Sequence, residues 1–331
     1  MRKISFAISM LIVFSCTANN TSLINEPTKN DEKVTTGTWE NDLIYLKSLN
    51  DSLDVAFIWN ESIFNERWDT LAQPQFWKKI MFLSEDSCII NIAKTRTIIA
   101  QMSLDEWDSK TTIEKDYYRD SVRKSYNLAQ DDKIYVTTGK SDFYSFDLVF
   151  PTIAKGVEVF RTQNVDPWYA QAILMIESPG KLAKSNAGAY GAFQLMPGVA
   201  RSHGLTVNRS IDERKDFVKS AKAASSLIAN TCLPHAREIL DEQAICYNET
   251  DLWFRLFVLH VYHAGAGNVK TAIKTINPTE GGSQLIQTLW QTTAGNFRNA
   301  SQNYSQLALA ALLIFDEMMW SFCDYELNRE G

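Results

Sequence analysis

Glu177 closes the run Trp168-Tyr-Ala-Gln-Ala-Ile-Leu-Met-Ile-Glu177, which is apolar almost all round. Such a run predicts a buried helix, and an ionisable carboxyl at the end of one is costly unless it has a partner or a task. Asp166 stands as N-cap with Pro167 at the first helical position, and Ser178-Pro179-Gly180 ends the run. Burial among Ile173, Leu174 and Ile176 would raise the carboxyl's pKa by desolvation and keep a proton on it near neutral pH. The chemistry open to it is general acid–base catalysis. Downstream, Ala187, Gly188, Ala189, Gly191 and Ala192 let the backbone approach something closely, and Gln194 adds an amide that both donates and accepts. Tyr262-His263-Ala264-Gly265-Ala266-Gly267-Asn268 again sets small residues around polar ones. Each string alone is weak, because a Gly/Ala string is more often a packed turn. His260 and His263 have a faint metal-ligand spacing that no carboxylate or cysteine completes, so no metal and no cofactor is expected.

Order and spacing together say more. Glu177-Ser178, then Ser185…Gly188-Ala189…Gly191-Ala192-Phe193-Gln194-Leu195-Met196-Pro197, then Tyr262-His263-Ala264-Gly265 resemble the motif set of lytic transglycosylases, the SLT domain of glycoside hydrolase family 23 with a goose-type-lysozyme-like fold. Ile211-Asp212-Glu213-Arg214-Lys215-Asp216, leading into an Ala-rich helix, is similar to a segment of the membrane-bound members. The resemblance runs from about Phe146 to Ile276, with a weaker echo at Asn303-Tyr304. It implies cleavage of the β-1,4 bond between MurNAc and GlcNAc in peptidoglycan glycan strands, leaving 1,6-anhydro-MurNAc ends, with Glu177 as sole acid and base. Hydrolysis of such a bond normally takes two carboxyl groups, and no acidic residue stands between Glu177 and Asp212.

By the same resemblance Tyr262 would orient the Glu177 carboxyl, Ser185 and Gln194 would contact the N-acetyl sugar, and Phe193 would line the cleft. Tyr304 and His263 join the substrate-binding set. His263 stands where the family usually has Asn, either tuning the acid or simply packing. Ala192-Phe193 also departs from the usual pair before the Gln. Asp212, Glu213 and Arg214 read as capping and ion pairing at a helix start, not as a second acid. A muramidase that hydrolyses the same bond with water, and a silent, peptidoglycan-binding lipoprotein, are the competing readings.

The elements that must position these residues read as mainly α: a lysozyme-like α-helical catalytic domain over 141–331 with a C-terminal packing helix, behind a mostly helical accessory region over 39–140. In that region Leu43, Leu46, Leu49 and Leu53, then Ile89, Ile92, Ile98 and Ile99, recur at roughly helical spacing. Lys133 to Thr138 could be a short extended stretch. Before it, Arg2-Lys3 and the apolar run Ile4 to Phe14 predict a lipoprotein signal peptide (1–15), with Cys16 in a lipobox-like Val13-Phe14-Ser15-Cys16 as the lipidation site. Residues 16–38, rich in Asn and Thr, read as a flexible tether. The expected location is the cell envelope, lipid-anchored, with Ala18 leaning toward the outer membrane facing the periplasm. Of the other cysteines, Cys232 and Cys246 are the best disulfide pair, against free buried thiols. A net charge of −6 without a long basic run excludes nucleic acid as a natural partner; the partners expected are glycan strands and, through the anchor, a membrane.

Overall fold

The computed structural model describes residues 39–47, 54–177, 184–185 and 187–329. Cys16, the signal and tether segments, Leu49, Leu53 and the helix-ending Ser178-Pro179-Gly180 lie outside them. About 59% of the described residues are helical and the sheets are small, so the protein is mainly α with a lysozyme-like fold. Residues 35–331 fall in one compact unit. Among the described residues no helix is long and apolar enough to cross a membrane.

A 3₁₀ turn, Trp39–Asp42, leads into the antiparallel pair β1 (Leu43–Lys47) and β2 (Asp54–Ile58). Helices α1 (Ser62–Asn65) and α2 (Ala72–Phe82) follow. Then come β3 (Ser87–Ile92), β4 (Ile98–Ser103), α3 (Leu104–Asp108), α4 (Thr112–Ser125) and β5 (Ile134–Thr138), with β3 in the middle of an antiparallel sheet between β4 and β5. The Ile89–Ile99 stretch read as helical is therefore two strands, and Leu43 and Leu46 lie on a third. The reason is burial on both faces. Ile89 enters the main core, whereas Cys88, Ile90 and Ile92 enter a smaller one with Trp107, Val122 and Ile134. A strand covered on both sides shows no alternation to read. The extended stretch at 133–138 is present as β5.

The remainder is helical: α5 (Phe146–Thr162), α6 (Trp168–Glu177), α7 (Pro197–Ser202), α8 (Phe217–Leu227), α9 (Leu233–Asp241), α10 (Leu252–Ala264), α11 (Ala266–Ile276), α12 (Ser283–Gln291) and α13 (Asn299–Arg329). Trp168 to Ile176 are all buried, as the sequence pattern requires. Helix α5 can lie close against α6 because of Gly156, where a Cβ would stand 2.6 Å from Leu174 Cδ1. Between α8 and α9 the chain makes a π turn, Ile228–Cys232. Pro234 explains it: without an N–H and with its ring against the carbonyl of Asn230, it cannot continue a regular helix.

That turn also corrects the cysteine pairing. Cys232 is buried and free while Cys246 is exposed and free; one thiol faces the core, the other solvent. Burial pushes the Cys232 thiol up to about 12.

Two side chains fasten β1–β2 to the front of α6. Gln171, 1% exposed, accepts from Ile58 N at 2.9 Å and donates to Ile58 O at 3.0 Å, completing the edge of the small sheet. Arg255, buried over the Trp168 ring, donates to Asp166 Oδ2 at 2.8 Å and to Asp42 Oδ2 at 3.2 Å. Asp166 in turn caps α6, its Oδ1 accepting from Trp168 N. Replacing Arg255 by Ala would strand two acidic groups, so a loss of roughly 3–5 kcal/mol is expected in denaturant unfolding. Arg161→Ala, which breaks the exposed i,i+3 pair with Glu158, is expected to cost less than about 1 kcal/mol.

Candidate active site

Helix α6 delivers Glu177 to the wall of a cleft of about 380 Å³, shared with Ser185, Ala189, Gln194, Met196, Tyr262 and His263 among others. These come from three places in the chain, the end of α6, residues 185–196 and the end of α10, with Val199 of α7 and Leu227 of α8 completing the wall. Burial pushes Glu177 up to about 7, and the nearby Tyr304 hydroxyl pulls weakly the other way. Of the described residues lining the cleft, Glu177 is the one carboxylic acid.

The loop is built around Arg214. Asp212 caps the following 3₁₀ turn and grips Arg214 through both oxygens, at 2.8 and 2.7 Å. Arg214 Nη1 then donates to the carbonyls of Gly188 and Leu195, both at 2.8 Å. This closes the loop into a tight turn with Tyr190 bridged to Leu195. Gly191 sits at φ +84° with its α-carbon against the Arg214 carbonyl, which a Cβ would meet at 2.0 Å. No side chain fits there. Gln194 follows in the left-handed region, φ 44°, its Nε2 donating to Gly191 O at 3.1 Å, a conformation that costs a non-glycine residue energy and is held by its surroundings. Asp212 thus works as the sequence reading expects: Arg214 holds its carboxyl below the usual range, an ionised anchor and not an acid.

Three expectations change. Phe193 does not line the cleft; it is fully buried, stacked on Phe160 at 5.7 Å, because the Gly191–Gln194 turn points its side chain into the core. Its carbonyl is what matters: Tyr262 Oη donates to it at 2.6 Å. Tyr262 therefore spends its proton on the loop and not on Glu177. The place beside the acid belongs to Tyr304, which is 4% exposed and whose Oη, without a close partner among the described residues, approaches the carboxyl loosely. His263 stacks on that ring, centroids 4.3 Å apart and planes 19° from parallel. Its pKa is lowered by burial, so at neutral pH it is an uncharged plate between Tyr304 and the cleft. Tyr144, which no motif marks, is a further, half-buried neighbour; desolvation and the Glu177 charge hold its phenol protonated.

Tyr304 is itself fixed through α13. His260 Nδ1 donates to Ser301 O at 2.9 Å, Ser305 Oγ donates to His260 Nε2 at 2.8 Å, and Trp290 Nε1 donates to Ser305 Oγ at 2.7 Å. Every partner is satisfied only by a neutral His260. From the accessory sheet Arg96 reaches the same helix, donating to Asn299 Oδ1 at 3.2 Å and Asn303 Oδ1 at 2.6 Å. The pair His260/His263 holds no metal-ligand geometry: no group of three or more His, Cys, Asp or Glu that could hold an ion occurs among the described residues.

Residues 158–284 match the family model described as the Transglycosylase SLT domain, so that stretch of the chain is similar to this family. The match runs from within α5 to the first turn of α12, so Glu177, Gln194 and Tyr262 lie inside it and Tyr304 beyond. No curated protein matches the chain closely enough to count as a relative.

Two pH dependences of opposite sign follow. Burial lowers His260 to about 3, so the folded state binds fewer protons than the unfolded one between that value and 6.5. Stability from this group is full above 6.5 and is lost as pH falls, at up to about 1.4 kcal/mol per unit. Glu177, raised to about 7 from 4.5, contributes fully below 4.5 and loses that contribution as pH rises to 7. Glu177→Gln removes the loss: the variant is expected to gain on the wild type by up to about 3 kcal/mol at pH 8 and to show no such gain at pH 4. Thermal unfolding of both proteins across that range checks the sign.

Proposed function

We propose that the protein is a peptidoglycan lytic transglycosylase, which cleaves the β-1,4 bond between MurNAc and GlcNAc with Glu177 as sole general acid and base. The observation that carries the reading is a cleft in which Glu177, its pKa pushed by burial up to about 7, is the one carboxyl among the described residues, in a chain whose residues 158–284 match the SLT domain model.

One carboxyl is enough if the substrate brings its own nucleophile. Protonated Glu177 gives its proton to the O4 leaving oxygen of GlcNAc as the C1–O4 bond breaks. Positive charge develops at C1 of MurNAc, where the sugar's own 2-acetamido group can stabilise it. The Glu177 carboxylate then takes the proton of the MurNAc C6 hydroxyl, whose oxygen closes on C1. The 1,6-anhydro ring forms, Glu177 is again protonated, and no water is consumed. An inverting hydrolase needs a second carboxyl about 6.5–9.5 Å away to activate water, a retaining one about 5 Å away to attack C1; the cleft supplies neither. Ser185 and Gln194 offer the hydroxyl and amide for the N-acetyl sugar, and Met196 with Val199 the apolar wall. The reading extends to location: an exported protein lipid-anchored at Cys16, in the outer membrane facing the periplasm, for which the N-terminal sequence is the support.

Mass spectrometry of muropeptides released from purified sacculi tests the reaction. Anhydro-ended products are expected; reducing ends alone would show a hydrolytic muramidase. Glu177→Gln is expected to slow release by roughly 10²–10⁴-fold, and wild-type kcat to fall as pH rises above about 7.

A further inference from the structure

The first turn of α6, with Tyr169 roughly 12 Å from Glu177 at 1.5 Å per residue, opens on a second cavity. It has a volume of about 320 Å³ and lies where Trp39 meets α6 and α9. On its wall Arg237 forks onto Glu249, Nε to Oε1 at 2.6 Å and Nη2 to Oε2 at 2.8 Å. Tyr169 lines it as well. That side chain is 1% exposed, and its hydroxyl has no hydrogen-bond partner among the described residues. Thr250 is common to this cavity and an adjoining one of about 540 Å³ that contains Trp59 and Asn60. Asn60 accepts through Oδ1 from Ser62, while its buried Nδ2 is unpartnered. One seam therefore holds two orphaned donors, two indole rings and a planar ion pair.

Each of these two buried donors goes unpaired at a cost, and a ligand with acceptor groups would remove it. The charge narrows the ligand. The smaller cavity sets Asp166 and Glu249 against Arg237, and the larger has Asp42, Glu61, Glu66 and Asp251 without a lysine or arginine. Phosphate-rich polymers and anionic headgroups are repelled by such a lining. A neutral molecule with flat C–H faces, adjacent hydroxyls and amide carbonyls matches it: indoles take the faces, the Arg237–Glu249 fork takes the hydroxyls, and the orphaned donors take the carbonyls.

We propose that this seam is a second, non-catalytic binding site for oligomers of N-acetylated amino sugars, holding the protein to a glycan strand while the cleft acts; the ligand class rests on the peptidoglycan reading above. The test is calorimetric titration of the full-length Glu177→Gln protein with the β-1,4 GlcNAc tetramer. Two sites are expected. Adding Tyr169→Phe is expected to weaken one of them about tenfold, and adding Gln194→Ala to weaken the other. Tyr169→Phe deletes an unpaired hydroxyl, so its melting temperature is expected to stay level or rise, which separates lost binding from misfolding. A single site that Tyr169→Phe weakens supports the seam and removes the cleft reading. A single site indifferent to Tyr169→Phe overturns the seam and leaves the cleft standing, and no binding at all overturns it too. Tyr169-dependent binding of an amine-bearing stem peptide in place of the tetramer overturns the choice of sugar.

Discussion

A carboxyl carried at the end of a wholly buried helix loses the hydration that would let it ionise, and the rest of the structure follows from keeping it so. Among the described residues Glu177 has no cation beside it to restore the charge; its polar surroundings there include the phenols of Tyr304, Tyr262 and Tyr144, each driven toward the neutral form by burial. Burial raises the acid's pKa, and the Tyr304 hydroxyl pulls the other way without trapping the proton in an ion pair. Ion pairs are used nearby, at Asp212–Arg214 and Asp166–Arg255, but one step removed. They hold the loop and the helix, and leave the acid alone.

The accessory segment belongs to this arrangement. Gln171 ties α6 to β2, Arg255 ties it to Asp42, and Arg96 ties the three-stranded sheet to the helix that carries Tyr304. Position at the cleft is thus set from both sides: α6 delivers the acid, and α13, gripped by the sheet and by His260, delivers the phenol beside it. Such scaffolding costs stability at each buried charge and recovers it through pairing.

The parts legible in the sequence are those governed by local pattern. The apolar run ending in Glu177, its Asp166 cap, and the small residues that let the loop close on Arg214 all follow from residue type and short spacing, and the structure gathers Glu177, Ser185, Gln194, Tyr262 and His263 on one cleft. The parts that were not legible depend on contacts distant in the chain. Whether Phe193 points into the cleft or the core is decided by one positive-φ turn. Which tyrosine sits beside the acid is decided by how α13 packs, over a hundred residues further on. The strand β3 escaped because burial on both faces erases the alternation that would announce it, and the Tyr169 cavity because an orphaned hydroxyl has no sequence signature.

The single-acid chemistry requires a neutral Glu177 at working pH. The direct measurement is the titration of its side-chain carboxyl by carbon-13 NMR in glutamate-labelled protein, the resonance assigned by its loss in Glu177→Gln. A midpoint near 7 is the expected result. A midpoint near 4.5, the value of a hydrated glutamate, would mean the group is ionised when it should be donating a proton, and would contradict the single-acid chemistry.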